Sequence, residues 1–358
     1  MQRFIPRTSF GYDRVINWFP GHMAKGLRLI SERLNTVDLV VEVRDARIPL
    51  SSVNPNFEKV VGRKPRLVIY NKFDLACPDS KQPLMDAFAK HTPHTPVLFT
   101  SCLKDSHIGD ILKYAASLAD PIPHINLMVV GMPNVGKSSL INSLRRVGVG
   151  KGKAAQTGAQ PGVTRTVVGT VKVLDDPAIY LIDTPGVMVP HIADPLRSLK
   201  VAVTGGIRDH LADEQVMVDY ILYELNRRNA IDYCSWYRMT EPTNNVDELL
   251  DGVARRIGAI VKGGQLDMTM AAKFFLKQFR LGKLGRYTLD DISPPALDTF
   301  FDEMKLYNGT SSSGVRQSDP MAISRRQEKK RAKLAWRKEQ QKKYEQRGKR
   351  LEPAEDED

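Results

Sequence analysis

One string constrains this 358-residue chain more than any other: Gly131-Met-Pro-Asn-Val-Gly136-Lys137-Ser138, directly after the apolar run 127–130. A strand that ends in a glycine-rich turn and continues as a helix aims backbone N–H groups at an anion. The positive end of the helix dipole points the same way. The pattern GxxxxGK[ST] in that context is a phosphate-binding loop. Lys137 is expected to neutralise β- and γ-phosphates and the Ser138 hydroxyl to ligate Mg²⁺, with Asn134, Val135, Gly136 and Ser139 alongside the phosphates. The loop alone does not name the base.

Four further apolar runs, 39–43, 67–70, 97–100 and 180–182, alternate with helical patterns between residues 31 and 205. That alternation predicts a mostly parallel α/β sheet, which binds ligands at the carboxyl ends of its strands. After 180–182 comes Asp183-Thr-Pro-Gly186. Here Asp183 fits a second Mg²⁺ contact and the Gly186 N–H a γ-phosphate sensor. Taken alone, the same residues also read as an ordinary turn.

After 67–70 comes Asn71-Lys72-Phe73-Asp74. A carboxylate at Asp74 can accept from N1–H and the 2-amino group of guanine, a donor pair adenine lacks, so it selects guanine. Asn71 and Lys72 brace that loop. Thr100-Ser101-Cys102 fits a second base-side loop, with a backbone N–H for the guanine oxygen. Thr164, 26 residues beyond Ser138, stands where a switch loop supplies a hydroxyl to Mg²⁺. A simple surface threonine is the alternative.

The order of these motifs is unusual. The base loop and its helper come first; the phosphate loop, the switch threonine and Asp183-Thr-Pro-Gly186 follow. The same sheet can be built in either order if termini are joined and reopened elsewhere. The expected fold is therefore an α/β P-loop GTPase sheet, circularly permuted, then a smaller all-α domain and a basic tail. Residues 1–30 read as an arm, 31–205 as the GTPase domain, 206–306 as the helical domain and 307–358 as linker and tail. The helical expectation rests on stripes such as Val218, Ile221, Leu222 and Leu225, and Ala272, Phe275, Leu276 and Phe279. In this order the chain leaves the γ-phosphate sensor and runs straight into the helical region.

Charge points to a polyanion. The net charge is +12, and residues 324–350 hold thirteen Lys/Arg against three Glu. Three cysteines, Cys77, Cys102 and Cys234, stand at neither metal-ligand nor redox spacing. No run is long and apolar enough for a spanning helix. The basic N-terminus, with Arg3, Arg7 and Arg14 and a first acid at Asp13, reads as a short mitochondrial targeting segment or as an ordinary basic arm.

Three strings carry a resemblance: Trp18-Phe-Pro-Gly-His22-Met-Ala-Lys25, Asp45-Ala-Arg-Ile-Pro49-Leu-Ser and Phe274-Phe-Leu-Lys-Gln-Phe-Arg-Leu-Gly282-Lys-Leu-Gly285-Arg. With the motifs above, the chain resembles the circularly permuted ribosome-assembly GTPases of the bacterial RbgA/YlqF type, its mitochondrial members most of all. The likeness spans about residues 16–300. It implies that His22 orients the attacking water, since Val187 stands where many GTPases have glutamine. It also implies that Asn134 supports a K⁺ ion beside the phosphates.

The leading expectation is a GTP- and Mg²⁺-dependent assembly factor for the mitochondrial large ribosomal subunit. It is slow alone, stimulated by K⁺ and the ribosome, binds rRNA in a nucleotide-switched manner, and is a monomer off the ribosome. The expected location is the mitochondrial matrix, with peripheral contact to the anionic inner membrane or a cytoplasmic location as alternatives. Competing readings are a GTP-liganded RNA scaffold that does not hydrolyse, a P-loop ATPase or nucleotide kinase, and a peripheral inner-membrane regulator of mitochondrial translation.

Overall fold

Each of the five apolar runs becomes a strand, extended by a residue or more at one or both ends except the third, which stops one residue short. In the computed structural model, β1 is Leu39–Asp45, β2 Arg66–Asn71, β3 Val97–Phe99, β4 His124–Gly131 and β6 Ala178–Asp183. A sixth, β5 (Val171–Leu174), was not expected from the sequence; it forms the antiparallel edge beside β6. The sheet order is β3-β2-β1-β4-β6-β5, and the other four pairings are parallel. The structure describes residues 4–16, 28, 30–61, 64–119, 124–150, 170–183, 192, 194–228 and 232–309. All belong to one compact unit, residues 1–313.

Both faces of the sheet are covered, so its strands are nearly continuous apolar runs. Leu39, Val41 and Val43 of β1 face one core and Val40 the other. Helices α1 (Pro55–Val61), α2 (Lys81–His91), α3 (Ile108–Ala116) and α4 (Lys137–Val149) connect or flank the strands. Strands β1 to β3 step outward in one direction, and the chain then returns to lay β4 on the other side of β1. The reversal opens a crevice at the carboxyl ends of β1 and β4, where open α/β sheets bind ligands.

Beyond the sheet come α5 (Pro195–Val203), α6 (Glu214–Arg228), α7 (Tyr233–Tyr237), α8 (Val246–Ile257), α9 (Met268–Arg280) and α10 (Pro294–Gly309). The expected stripes are buried: Val218, Ile221, Leu222 and Leu225 on α6, and Ala272, Phe275, Leu276 and Phe279 on α9. Asp194, Asn245 and Asp267 cap α5, α8 and α9 with side-chain oxygens. Helix α10 returns to the sheet domain and packs on α1 and α2. Residues 4–16 lie along α6, with Arg7 paired to Asp219 at 2.6 Å and Phe10 edge-on to Tyr220. Among the described residues, no helix is long and apolar enough to cross a membrane.

Candidate nucleotide site

The phosphate loop has the backbone its sequence predicts. Asn134 and Gly136 both adopt positive φ, 58° and 103°, and α4 begins at Lys137. Asparagine tolerates that conformation. Gly136 is obligatory for a second reason: a Cβ there would stand 2.2 Å from Asn71 Nδ2. The phosphate loop and base loop thus touch at a point where only glycine fits. Lys137 is buried, with Nζ 2.8 Å from the Met132 carbonyl oxygen. Ser138 and Ser139 follow in the first turn of α4.

Asn71 ends β2 and joins three loops. Its Nδ2 donates to the Val135 carbonyl at 3.0 Å. Its Oδ1 accepts from the Cys102 N–H at 3.2 Å and the Thr100 hydroxyl at 3.3 Å. Lys72, also at positive φ, sends Nζ to Asp45 at 2.9 Å and to the Asn134 carbonyl. The base loop is therefore wired to the phosphate loop through both its first residues. Asp74 lies two residues beyond Lys72, in the single 3₁₀ turn Phe73–Leu75.

Ser101 and Cys102 sit where the second base loop was expected, but their N–H groups turn inward. Ser101 donates to the Ser106 carbonyl and Cys102 to Asn71. Cys102 is buried, and burial pushes its thiol up to about 12. All three cysteines are free thiols.

Asp45, at the carboxyl end of β1, is the centre the sequence motifs did not single out for chemistry. It is buried. Arg47 grips it in a fork, Nε to Oδ1 at 3.0 Å and Nη2 to Oδ2 at 2.7 Å, and Lys72 adds a third contact. Burial would raise its pKa, but the two cations outweigh burial and hold the carboxyl well below the usual range. Burial pushes the Lys72 ammonium down, opposed by Asp45. Arg47 also donates to the Thr204 carbonyl at 3.1 Å, and Asn134 Nδ2 donates to Gly205 O at 2.7 Å. The end of α5 is thereby tied to both the phosphate loop and the Asp45 loop.

Of the remaining expected site residues, Asp183 is the last residue of β6, paired in register with Val129 of β4; its side chain lies outside what the structure describes. His22, Thr164 and Gly186 lie outside the described residues, as does the basic tail. Among the described residues, no three His, Cys, Asp or Glu side chains cluster as a metal site.

A mostly parallel sheet with a phosphate loop after β4, an Asn-Lys-x-Asp loop after β2 and the two joined by Asn71 defines a P-loop GTPase with permuted motif order. Comparison with known proteins leads to the same class. A family profile described as 50S ribosome-binding GTPase matches residues 126–248. Mitochondrial ribosome-associated GTPase 1 of Mus musculus is 42% identical over 304 residues, covering 79% of this chain and 93% of that protein. Ribosome biogenesis GTPase A of Bacillus cereus is 33% identical over 291 residues, 77% of this chain and 94% of the relative. The crystal structure of GNP-bound YlqF from T. maritima shares the fold, with a TM-score of 0.53 at 23% identity over 75% of this chain and 99% of that one. The chain belongs to the YlqF/RbgA-type family of ribosome-binding GTPases.

Proposed function

We propose that this chain hydrolyses GTP as an assembly factor of the mitochondrial large ribosomal subunit, gripping rRNA in one nucleotide state and releasing it in the other. The observation that carries the reading is the joint between the loops. Asn71 and Lys72 lock the guanine-selecting turn onto the phosphate loop, so base identity and phosphate state are sensed by one connected structure. The mitochondrial ribosome-associated relatives, up to 42% identical over most of the chain, support the ribosome and the compartment. The basic C-terminal run supplies the charge that rRNA phosphates demand.

On this reading GTP lies across the β1/β4 crevice with its phosphates on the N-terminus of α4. Lys137 leaves the Met132 carbonyl for the β- and γ-phosphates. Mg²⁺ supplies charge neutralisation when bound, with the Ser138 hydroxyl, Thr164 and Asp183 as its protein-side partners and Gly186 reading the γ-phosphate. Asn134, whose amide nitrogen donates to the Gly205 carbonyl, would contribute its amide oxygen to a bound K⁺. His22 orients the attacking water. Asp74 reads the guanine edge. Residues 314–358 add sequence-independent contact to RNA.

Sedimentation of the full chain with mitochondrial large subunits, in GTP, a non-hydrolysable analogue and GDP, tests the switch. Co-sedimentation with the analogue and release with GDP is expected; equal binding in all three states sinks it. A second reading, a GTP-liganded scaffold without turnover, is favoured by Val187, which replaces the water-orienting glutamine. Steady phosphate release in K⁺ that disappears in His22→Ala rejects it.

A further inference from the structure

The guanine-selecting turn has a second support, and it comes from the far end of the fold. Residues 282–290, between α9 and α10, run across the back of the turn. Arg286 Nη2 donates to the Phe73 carbonyl at 2.9 Å and Nε to the Ala76 carbonyl at 2.8 Å. The Tyr287 N–H donates to the Leu75 carbonyl at 3.0 Å. The Cys77 N–H donates to the Thr288 hydroxyl at 3.3 Å. The Arg286 guanidinium also lies over the Phe73 ring. The carbonyls immediately before and after Asp74 are thus both held by a segment more than 200 residues away.

The approach is close by design of the backbone. Gly282 has φ +72°, and a Cβ there would stand 2.6 Å from Leu75 Cδ2. The other side of the segment is anchored to the helices. Arg228 of α6 donates to the Thr288 carbonyl at 2.7 Å, and Tyr287 stacks on Phe279 of α9 at 5.8 Å. Asp290 accepts from the N–H groups of Leu50 and Ser51, from the Ser51 hydroxyl and from Lys200. Asp74 lies in the middle of the 3₁₀ turn Phe73–Leu75, so its position follows the backbone that carries it.

We infer that residues 282–290 are a working part of the guanine pocket and that Arg286 is its positioning residue. The inference rests on the reading of Asp74 as the guanine selector. A carboxylate that must meet two donors on one base edge needs placement to within about 0.5 Å. A single 3₁₀ turn has too few bonds of its own to hold that tolerance, and Arg286 supplies two charge-assisted bonds on either side of it. Without them the turn shifts and the two-donor match with guanine is lost first.

The test compares guanosine and inosine diphosphates, which differ by the 2-amino group, by calorimetric titration of the full-length protein. The wild type is expected to prefer GDP. Arg286→Ala is expected to weaken GDP about tenfold while weakening inosine diphosphate far less, so that the preference collapses. A merely structural arginine would weaken both equally, and parallel loss overturns the inference, as does an unchanged preference. Arg286→Met keeps the stem over Phe73 while removing both donors. It gives the same readout should the alanine variant not fold. Asp74→Ala separates the two claims. If it abolishes the preference and the Arg286 variants do not, the inference about 282–290 falls alone. If Asp74→Ala keeps the preference, the guanine reading falls with it.

Discussion

Asn71 makes the site one structure rather than two loops. Its amide satisfies the Val135 carbonyl, the Cys102 N–H and the Thr100 hydroxyl, all in a buried place. Asn71→Ala removes the partner of each at once, and a buried polar group left unsatisfied loses about 1–3 kcal/mol. Some of that falls on nucleotide affinity, because the liganded form depends most on both loops being in place. GDP is expected to bind about 10- to 100-fold more weakly, read by fluorescence titration; a change within about twofold would contradict the bracing role. Asp45 is the converse case, a buried charge held by Arg47 and Lys72. Asp45→Asn leaves two cations without their partner and is expected to destabilise the fold by about 3–5 kcal/mol, measured by urea unfolding. Asn71 was legible from its motif. Asp45 was legible only as part of a resembling string, since Lys72 reaches it through sheet register, with Asp45 opposite Asn71.

At the scale of elements, β1 carries the charges that make this sheet sensitive to acid. Glu42 is buried and accepts from Arg44 at 2.7 Å and Arg66 at 2.9 Å. Burial alone would raise its pKa, but the two arginines lower it from 4.5 to about 2. A depressed carboxyl contributes stability that is complete above pH 4.5 and is lost as pH falls toward 2. The depression corresponds to about 3 kcal/mol. Glu42→Gln is therefore expected to be less stable than wild type at pH 6, with the gap closing between pH 4.5 and 2. A gap that stays constant across that window, by chemical denaturation at stepped pH, would show that the pair stores no such energy. The strands were readable because four of the five apolar runs end where a motif begins, and the helices because their buried stripes keep a period of 3.6. Strand β5 was not, being four residues long at the sheet edge with Lys172 facing solvent and Val173 buried. Residues 282–286 were visible as the end of a string, but the partners of Arg286 lie more than 200 positions away, which no local pattern encodes.

At the scale of the whole molecule, the turn Phe73–Leu75 and the helical region cannot be separated cleanly. Residues 282–290 hydrogen-bond that turn, α10 packs on α1 and α2, and residues 4–16 lie along α6. The described residues all fall in one compact unit, Met1–Ser313, and the residues that brace the two loops lie within it. That division yields a prediction about electrostatics. Each RNA phosphate neutralised by a Lys or Arg releases counterions and adds roughly 0.7–0.9 to the slope of log affinity against log salt. Truncation after Ser313 is expected to leave GDP affinity within about twofold, because none of the residues that brace the two loops lies beyond that point. The same truncation should flatten the salt dependence of binding to large-subunit rRNA by several units of slope, and weaken binding most at low salt. Filter binding of the full and truncated chains across a salt series measures both slopes. Parallel lines would place the RNA contact entirely within residues 1–313 and take the tail out of the binding surface. A truncated chain that no longer binds GDP would instead mean that the nucleotide site extends beyond the compact unit.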